Sequence, residues 1–247
     1  MLFNAEKCKV LHFGKSRPSY SYTMGGYAPA GTALPSDTEE KDVGVLIHQS
    51  LKPSRQCAKA AGKANQVLGQ MARALTYRNK RTWLRLYKIY VRHHLEYSVQ
   101  SWSPWAEADK ELLERVQKRV LRMTTGLVSR DYEGQLREVG LTTLEERRQR
   151  GDMIQVWKYL NHKQAVDPAT LFRMRSEVTE RATRAADPLA LADQPCRGEV
   201  RRNFFNIRVT RNWNALPSAC KNAANIDSFK ALHDKYMYGT PQRTEPM

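Results

Sequence analysis

The chain has 247 residues, of which 41% are apolar and 9% aromatic; that is enough to bury a core in one or two domains and excludes a disordered polymer. Its 41 lysines and arginines outnumber 25 aspartates and glutamates, and the resulting net charge of +16 favours polyanions as partners, nucleic acid before anionic membrane. No apolar run approaches the ~20 residues of a membrane span, the N-terminus lacks signal-peptide features, and Cys8, Cys57, Cys196 and Cys220 show neither a C-x-x-C pair nor zinc-ligand spacing, so an intracellular protein (nuclear or cytoplasmic, not secreted) with reduced thiols is expected.

Residues 1–52 have strand character. Cys8, Val10 and His12 alternate with Lys9, Leu11 and Phe13, and Tyr20, Tyr22 and Met24 alternate again before Gly25-Gly26. "DVGVLI" supplies Val43, Val45 and Ile47 for a third strand, and a small antiparallel sheet is expected. The acidic "TEEKD" of Thr38 to Asp42 reads as a solvated turn just before that strand.

From Pro53 the period changes to that of helices, and residues 53–128 are expected to form a helical domain. Cys57, Ala60, Ala61, Ala64, Val67, Leu68, Met71 and Leu75 recur at three-and-four spacing behind Ser54, the expected N-cap. A second helix is expected over Lys80 to Ser101, with Leu84, Tyr87, Val91 and Leu95 on one face and Arg81, Arg85, Lys88 and Arg92 on the other. A third helix spans Glu107 to Thr125. Its apolar stripe is Leu113, Val116, Val120 and Met123; its opposite stripe, Arg115, Lys118, Arg119 and Arg122, reads as a face of one sign. Gly126 is its expected C-cap.

Residues 129–166 read as a helical extension. Asp131 caps a short helix that stops near Gly140, and two capping boxes, Thr142 with Glu145 and Thr143 with Glu146, compete to open the next helix. That helix carries "RRQR", Arg147 to Arg150, in its early turns. Residues 167–199 lack periodicity and are expected to be a linker or mobile loop. Residues 200–238 form an aromatic and basic helical segment: "RRNFFNIRVTRNWNALP" interleaves Phe204, Phe205 and Trp213 with Arg201, Arg202, Arg208 and Arg211, and a last helix begins at Asp227. The fold class is therefore mainly α with a small antiparallel β region at the N-terminus, an α+β chain dominated by a helical bundle.

Catalytic signals are weak. There is no Asp-Asp pair for two-metal chemistry, no phosphate-binding glycine loop and no nucleophile in a recognisable setting. The adjacent His93 and His94 point to different sides of a helix and make a poor chelate. Binding signals are stronger. The basic stripes suit a phosphate backbone, and the candidate contacts are Arg81, Arg85, Lys88, Arg92, Arg115, Lys118, Arg119, Arg122, Arg147 and Arg148. The large aromatics Phe204, Phe205, Trp213, Trp157 and Trp102 are read as core before base platforms.

"FNAEKCKVLHFGK", "EKDVGVLI", "LKPSRQCAKAAGKANQVLGQMAR", "LYKIYVRHHLEYSVQSWSPW", "LLERVQKRVLRM", "GLTTLEERRQRGDMIQVWKYLN" and "RRNFFNIRVTRNWNALP" follow one another in an order that resembles the C-terminal portion of LINE-type, non-LTR retrotransposon reverse transcriptases of the chicken-repeat and jockey groups. The resemblance implies that residues 3–15 match the fourth conserved motif of the polymerase palm. Lys7 then matches that motif's lysine, which assists proton transfer to pyrophosphate. "EKDVGVLI" matches the next motif, which holds the primer end. The helices from Ser54 to Gly126 match the thumb, and the later ones the family's C-terminal extension. The family uses magnesium, but the aspartates that hold it have no counterpart here. A truncated fragment is therefore expected, without cofactor and catalytically incompetent alone, with Lys7 idle. Its implied partners are primer–template, RNA or an RNA–DNA hybrid, and a palm-bearing polypeptide where activity is required. Two other readings stay open: a helical protein-interaction module, and the non-functional product of a decayed element.

Overall fold

The computed structural model describes residues 4, 7–14, 20–25, 31–178 and 187–239. Several residues of the 3–15 match, and part of the loop after Gly25, lie outside them. The chain is mainly α with a small β region at its N-terminus. It divides into two compact units, Met1–Gly140 and Leu141–Met247. The division falls inside the extension expected over 129–166.

The β region is not one antiparallel sheet. Among the described residues it consists of three separate two-stranded pairs. β1 (Val10–Leu11) runs parallel to β4 (Ser36–Asp37), while β2 (Thr23–Met24) and β3 (Thr32–Ala33) pair antiparallel within the connection between them. Strands of two residues present no shared apolar face on which a wider sheet could assemble. The third pair is a regular hairpin, β5 (Glu39–Asp42) with β6 (Val45–His48), in register Glu39↔His48 to Asp42↔Val45. The acidic segment expected as a solvated turn is thus strand β5. The turn is Val43-Gly44, both at positive φ (41° and 90°), as a two-residue hairpin of primed type requires. A β-branched residue is costly there, and the Val43 side chain gains no packing, being 82% exposed.

Two contacts seat the hairpin on the helices. Leu46 N–H donates to the Oε1 of buried Gln56 at 2.8 Å, and the Tyr97 hydroxyl donates to the Val43 carbonyl at 3.0 Å. The Tyr97 ring also covers Gly44 so closely that a Cβ there would meet it at 3.1 Å.

α1 (Ser54–Ala74) buries Cys57, Ala60, Ala61, Ala64 and Leu68, the small face expected from the spacing. Pro53 rather than Ser54 takes the N-cap position. The Ser54 hydroxyl instead donates to Asp109 Oδ2 at 2.6 Å. The second expected helix is interrupted. α2 (Lys80–Leu86), capped by Asn79, gives way to a π-helical turn at Tyr87–Val91, then α3 (Arg92–Glu96), a left-handed Ser98 and α4 (Val99–Trp102). Tyr87, Val91 and Leu95 are all fully buried, so the wider turn keeps their shared face inward through the break. α5 (Glu107–Arg122) packs along α1, burying Leu113, Val116, Val120 and Leu121. The two helices run parallel, because Ser54 meets Asp109 and Asn65 meets Arg119 further along both.

α6 (Tyr132–Val139), capped by Asp131 and closed by left-handed Gly140, belongs to this first unit through its polar contacts. The Tyr87 hydroxyl donates to Gln117 Oε1 at 2.7 Å, and Gln117 Nε2 donates to Tyr132 at 3.0 Å. The Tyr132 hydroxyl in turn donates to Glu114. Burial and that carboxylate raise the Tyr132 hydroxyl well above its ordinary value. Glu138 accepts from Lys80 and from the Val128 and Ser129 amides, which pull its carboxyl down to about 2.

The second unit is built on α7 (Leu144–Leu160). Of the two candidate capping boxes, Thr143 with Glu146 forms, each side chain bonding the other's backbone N–H. A 3₁₀ turn at Pro168–Thr170 and α8 (Arg175–Val178) follow, then α9 (Glu199–Arg202), α10 (Phe205–Ala215), α11 (Ser218–Lys221) and α12 (Ile226–Tyr238). Its core gathers Met153, Val156, Trp157, Phe172, Leu191, Val209, Trp213 and Phe229. The described part of 167–199 is therefore no linker, since Phe172 and Leu191 are core residues. Asn214 accepts from and donates to the Leu191 backbone at 2.9 Å each way, and Trp213 Nε1 donates to the Leu189 carbonyl at 2.8 Å. Residues 179–186 lie outside the described part.

Candidate nucleic-acid interface

The third-helix stripe is not of one sign. Glu111, one turn before Arg115 and two before Lys118 on α5, takes Lys118 on both carboxylate oxygens at 3.1 Å and lies 4.0 Å from Arg115. Lys118 also sits 5.1 Å over the Tyr132 ring. Arg119 donates to Asn65 on α1 at 3.1 Å. Arg122 is exposed, with no carboxylate against it among the described residues.

On the second stripe, Arg81 and Arg85 are exposed and make no ion pair among the described residues, whereas Lys88 is half-buried. Arg92 is largely covered and lies 3.8 Å from Glu96. Arg147 and Arg148 belong to the second unit. Arg147 is half-buried; Arg148 is only 4% exposed, which corrects its assignment as a phosphate contact. The physical reason is its position: one turn after buried Leu144 and one before buried Asp152, it lies on the inward face of α7. Lys7 is exposed. The lysine engaged in that region is Lys9, held between Asp37 at 2.8 Å and Glu40 at 3.0 Å.

The surface that sequence reading passed over is α1. In 21 residues it carries Arg55, Lys59, Lys63 and Arg73 and not one carboxylate. With its small residues buried, those four project from the outward face. Arg55 lies 3.7 Å from Glu39, and Lys63 donates to the neutral Gln66 at 3.3 Å. Lys59 and Arg73 make no ion pair among the described residues. The signal was present in the sequence as the missing acids, but attention to basic stripes alone does not find it.

α1 and α5 together define a track. Asn65 marks the edge of α1 next to α5, and the Lys59 and Lys63 row lies toward the opposite edge. Between them, at ~100° per residue, fall Ala58, Gly62 and Gly69. A Cβ added at Gly62 or Gly69 would meet nothing within 4 Å, so this strip is open. Arg115, Arg119 and Arg122 border one side and Lys59 and Lys63 the other. Beyond Lys63 stand the histidines of α3. Partial burial, then His93 and Lys63, hold the His94 imidazole below its usual range.

The cations of the second unit include a structural set that the sequence does not reveal. Arg208 grips Asp152 at 3.0 and 3.1 Å, Arg150 grips Asp234 at 2.6 and 2.8 Å, and fully buried Lys221 bonds Asp187 at 2.5 Å and the Asn214 carbonyl at 3.1 Å. His93 and His94, expected on different sides of their helix, have ring centres only 3.8 Å apart, and the second unit holds a buried histidine, His233, beside Asp234 at 3.5 Å.

Comparison of the chain with protein-family models, with curated proteins and with solved structures found no match. Among the described residues, no helix is long and apolar enough to cross a membrane.

Proposed function

We propose that this chain is a piece of a non-LTR retrotransposon reverse transcriptase that grips nucleic acid through the outward face of α1, flanked by the exposed Arg122 of α5. The observation that carries the reading is a 21-residue helix with four cations, no carboxylate and an open strip of small residues. Such a surface meets a sugar–phosphate backbone at close range and carries little sequence information. The hairpin lends support, since the segment resembling the primer-holding motif sits directly on α1 through Gln56 and against the end of α3 through Tyr97. The partner is RNA or an RNA–DNA hybrid, met inside the cell, in nucleus or cytoplasm. The chain by itself does not polymerise, because its sequence has no aspartate pair to hold magnesium; a palm-bearing polypeptide would have to supply one.

The test is binding of the purified chain to a labelled RNA–DNA primer–template by fluorescence anisotropy across a salt series. Log affinity falling linearly with log salt supports the reading; no binding at low salt from a folded sample sinks it. A protein-interaction module is the second reading, favoured by Ile89 and Tyr90, which the π-helical turn leaves exposed. Salt-independent behaviour would point there.

A further inference from the structure

The two adjacent phenylalanines of the arginine-rich segment have opposite fates. Phe205 turns inward, edge-on to Tyr159 at 6.2 Å and to Phe172 at 6.1 Å between ring centres, with Arg208 above its ring. Phe204, at the N-cap of α10, stays 52% exposed. The Arg201 guanidinium lies 5.3 Å over its ring and leaves the rest of the ring open to water. Of the segment's aromatics, Trp213 is fully buried, so Phe204 alone offers an open π-face.

The charge around it is lopsided. From Gln194 to Ile226 the chain has six cations, Arg197, Arg201, Arg202, Arg208, Arg211 and Lys221, against one carboxylate, Glu199. Arg208 and Lys221 are committed to Asp152 and Asp187. The other four are exposed, and none of them makes an ion pair among the described residues. Arg211 lies on the same face of α10 as Phe204, two turns further, about 10 Å along the axis. An exposed aromatic flanked by uncommitted arginines matches single-stranded nucleic acid: every base has a π-face to stack, and every linkage carries a phosphate.

We propose that the second unit carries a single-strand contact of its own, in which an unpaired base stacks on Phe204 and Arg201, Arg202 and Arg211 hold the flanking phosphates. This site is separate from the α1 track, which takes a backbone without touching bases.

The experiment uses the full chain and two fluorescein-labelled probes, an oligothymidylate and an abasic strand with the same number of phosphates. F204A is expected to weaken oligothymidylate binding about tenfold. F204W should restore it, and F204A should leave abasic binding unchanged. R201Q/R202Q should weaken both probes. Because Phe204 is exposed, F204A should keep wild-type helicity by circular dichroism. Equal binding of oligothymidylate by F204A and wild type, or equal wild-type affinity for the natural and abasic strands, overturns the proposal. K59E/K63E separates the two sites: it should reduce duplex binding and preserve the difference between natural and abasic strands.

Discussion

α1 and α5 lie side by side, both amphipathic, both with cations on their outer faces, and they differ in one respect. α5 brings its own counter-charge, Glu111, which holds Lys118 and Arg115, while its Arg119 is taken up by the neutral Asn65 of α1. α1 brings none. A row of basic residues becomes a surface for polyanions only when the fold leaves it unmatched, and the matched rows serve structure instead. The second unit makes the same point more strongly, with Arg150, Arg208 and Lys221 drawn inward onto Asp234, Asp152 and Asp187.

The largest effect should come from breaking a matched pair. D187A leaves Lys221 buried without its carboxylate and should cost about 3–5 kcal/mol, read by urea unfolding; D187A/K221M should recover much of the loss. A full-size loss in the double variant would show that the pair does more than neutralise its own charge. The same pair predicts an acid response. Burial raises the Asp187 carboxyl, but the bonds from Lys221 and the Leu189 amide outweigh it and hold it below its ordinary value. A depressed folded value means that its stabilisation is complete above the unfolded value of about 3.9 and is lost as pH falls through the folded one. Wild-type stability should therefore decline below about pH 4, and D187A should lose part of that slope.

A conversion is the next test. E111Q removes the acid that occupies Lys118 and Arg115, so α5 should come to resemble α1, with duplex affinity at low salt rising about fivefold. An unchanged affinity would mean that Glu111 does not mask the face. The smallest effect belongs to the hairpin seated beside α1. V43N relieves a β-branched residue at positive φ and should stabilise the chain by about 0.5–1 kcal/mol in thermal melts. Duplex affinity should not follow, because the proposed contact is the charge on α1 and V43N leaves that charge untouched.

What could be read from the sequence follows the range of the forces involved. The inward faces of α1 and α5, the Asp131 cap and the Thr143–Glu146 box are local patterns, and they are in place. The π-helical turn is a packing adjustment that brings Tyr87, Val91 and Leu95 to one buried face, and no propensity announces it. The parallel β1–β4 pair and the docking of Leu191 by Asn214 join residues far apart in the chain, which periodicity cannot see. Ser54 had the composition of a cap and was diverted by Asp109 from a helix fifty-five residues away. Among the candidate contacts, Arg148 was misplaced because "RRQR" reads as solvent-facing charge until Leu144 and Asp152 fix the inward side of the helix.

The most direct test sets the two helices against each other. K59Q/K63Q on α1 and R115Q/K118Q on α5 each remove two positive charges, and both can be titrated with the same RNA–DNA duplex across one salt series. The α1 variant should lower the slope of log affinity against log salt by about 2 and weaken binding at every salt concentration, while the α5 variant stays within about twofold of wild type. Equal losses from the two variants, or a larger loss from α5, would contradict the claim that the unmatched helix is the one that binds.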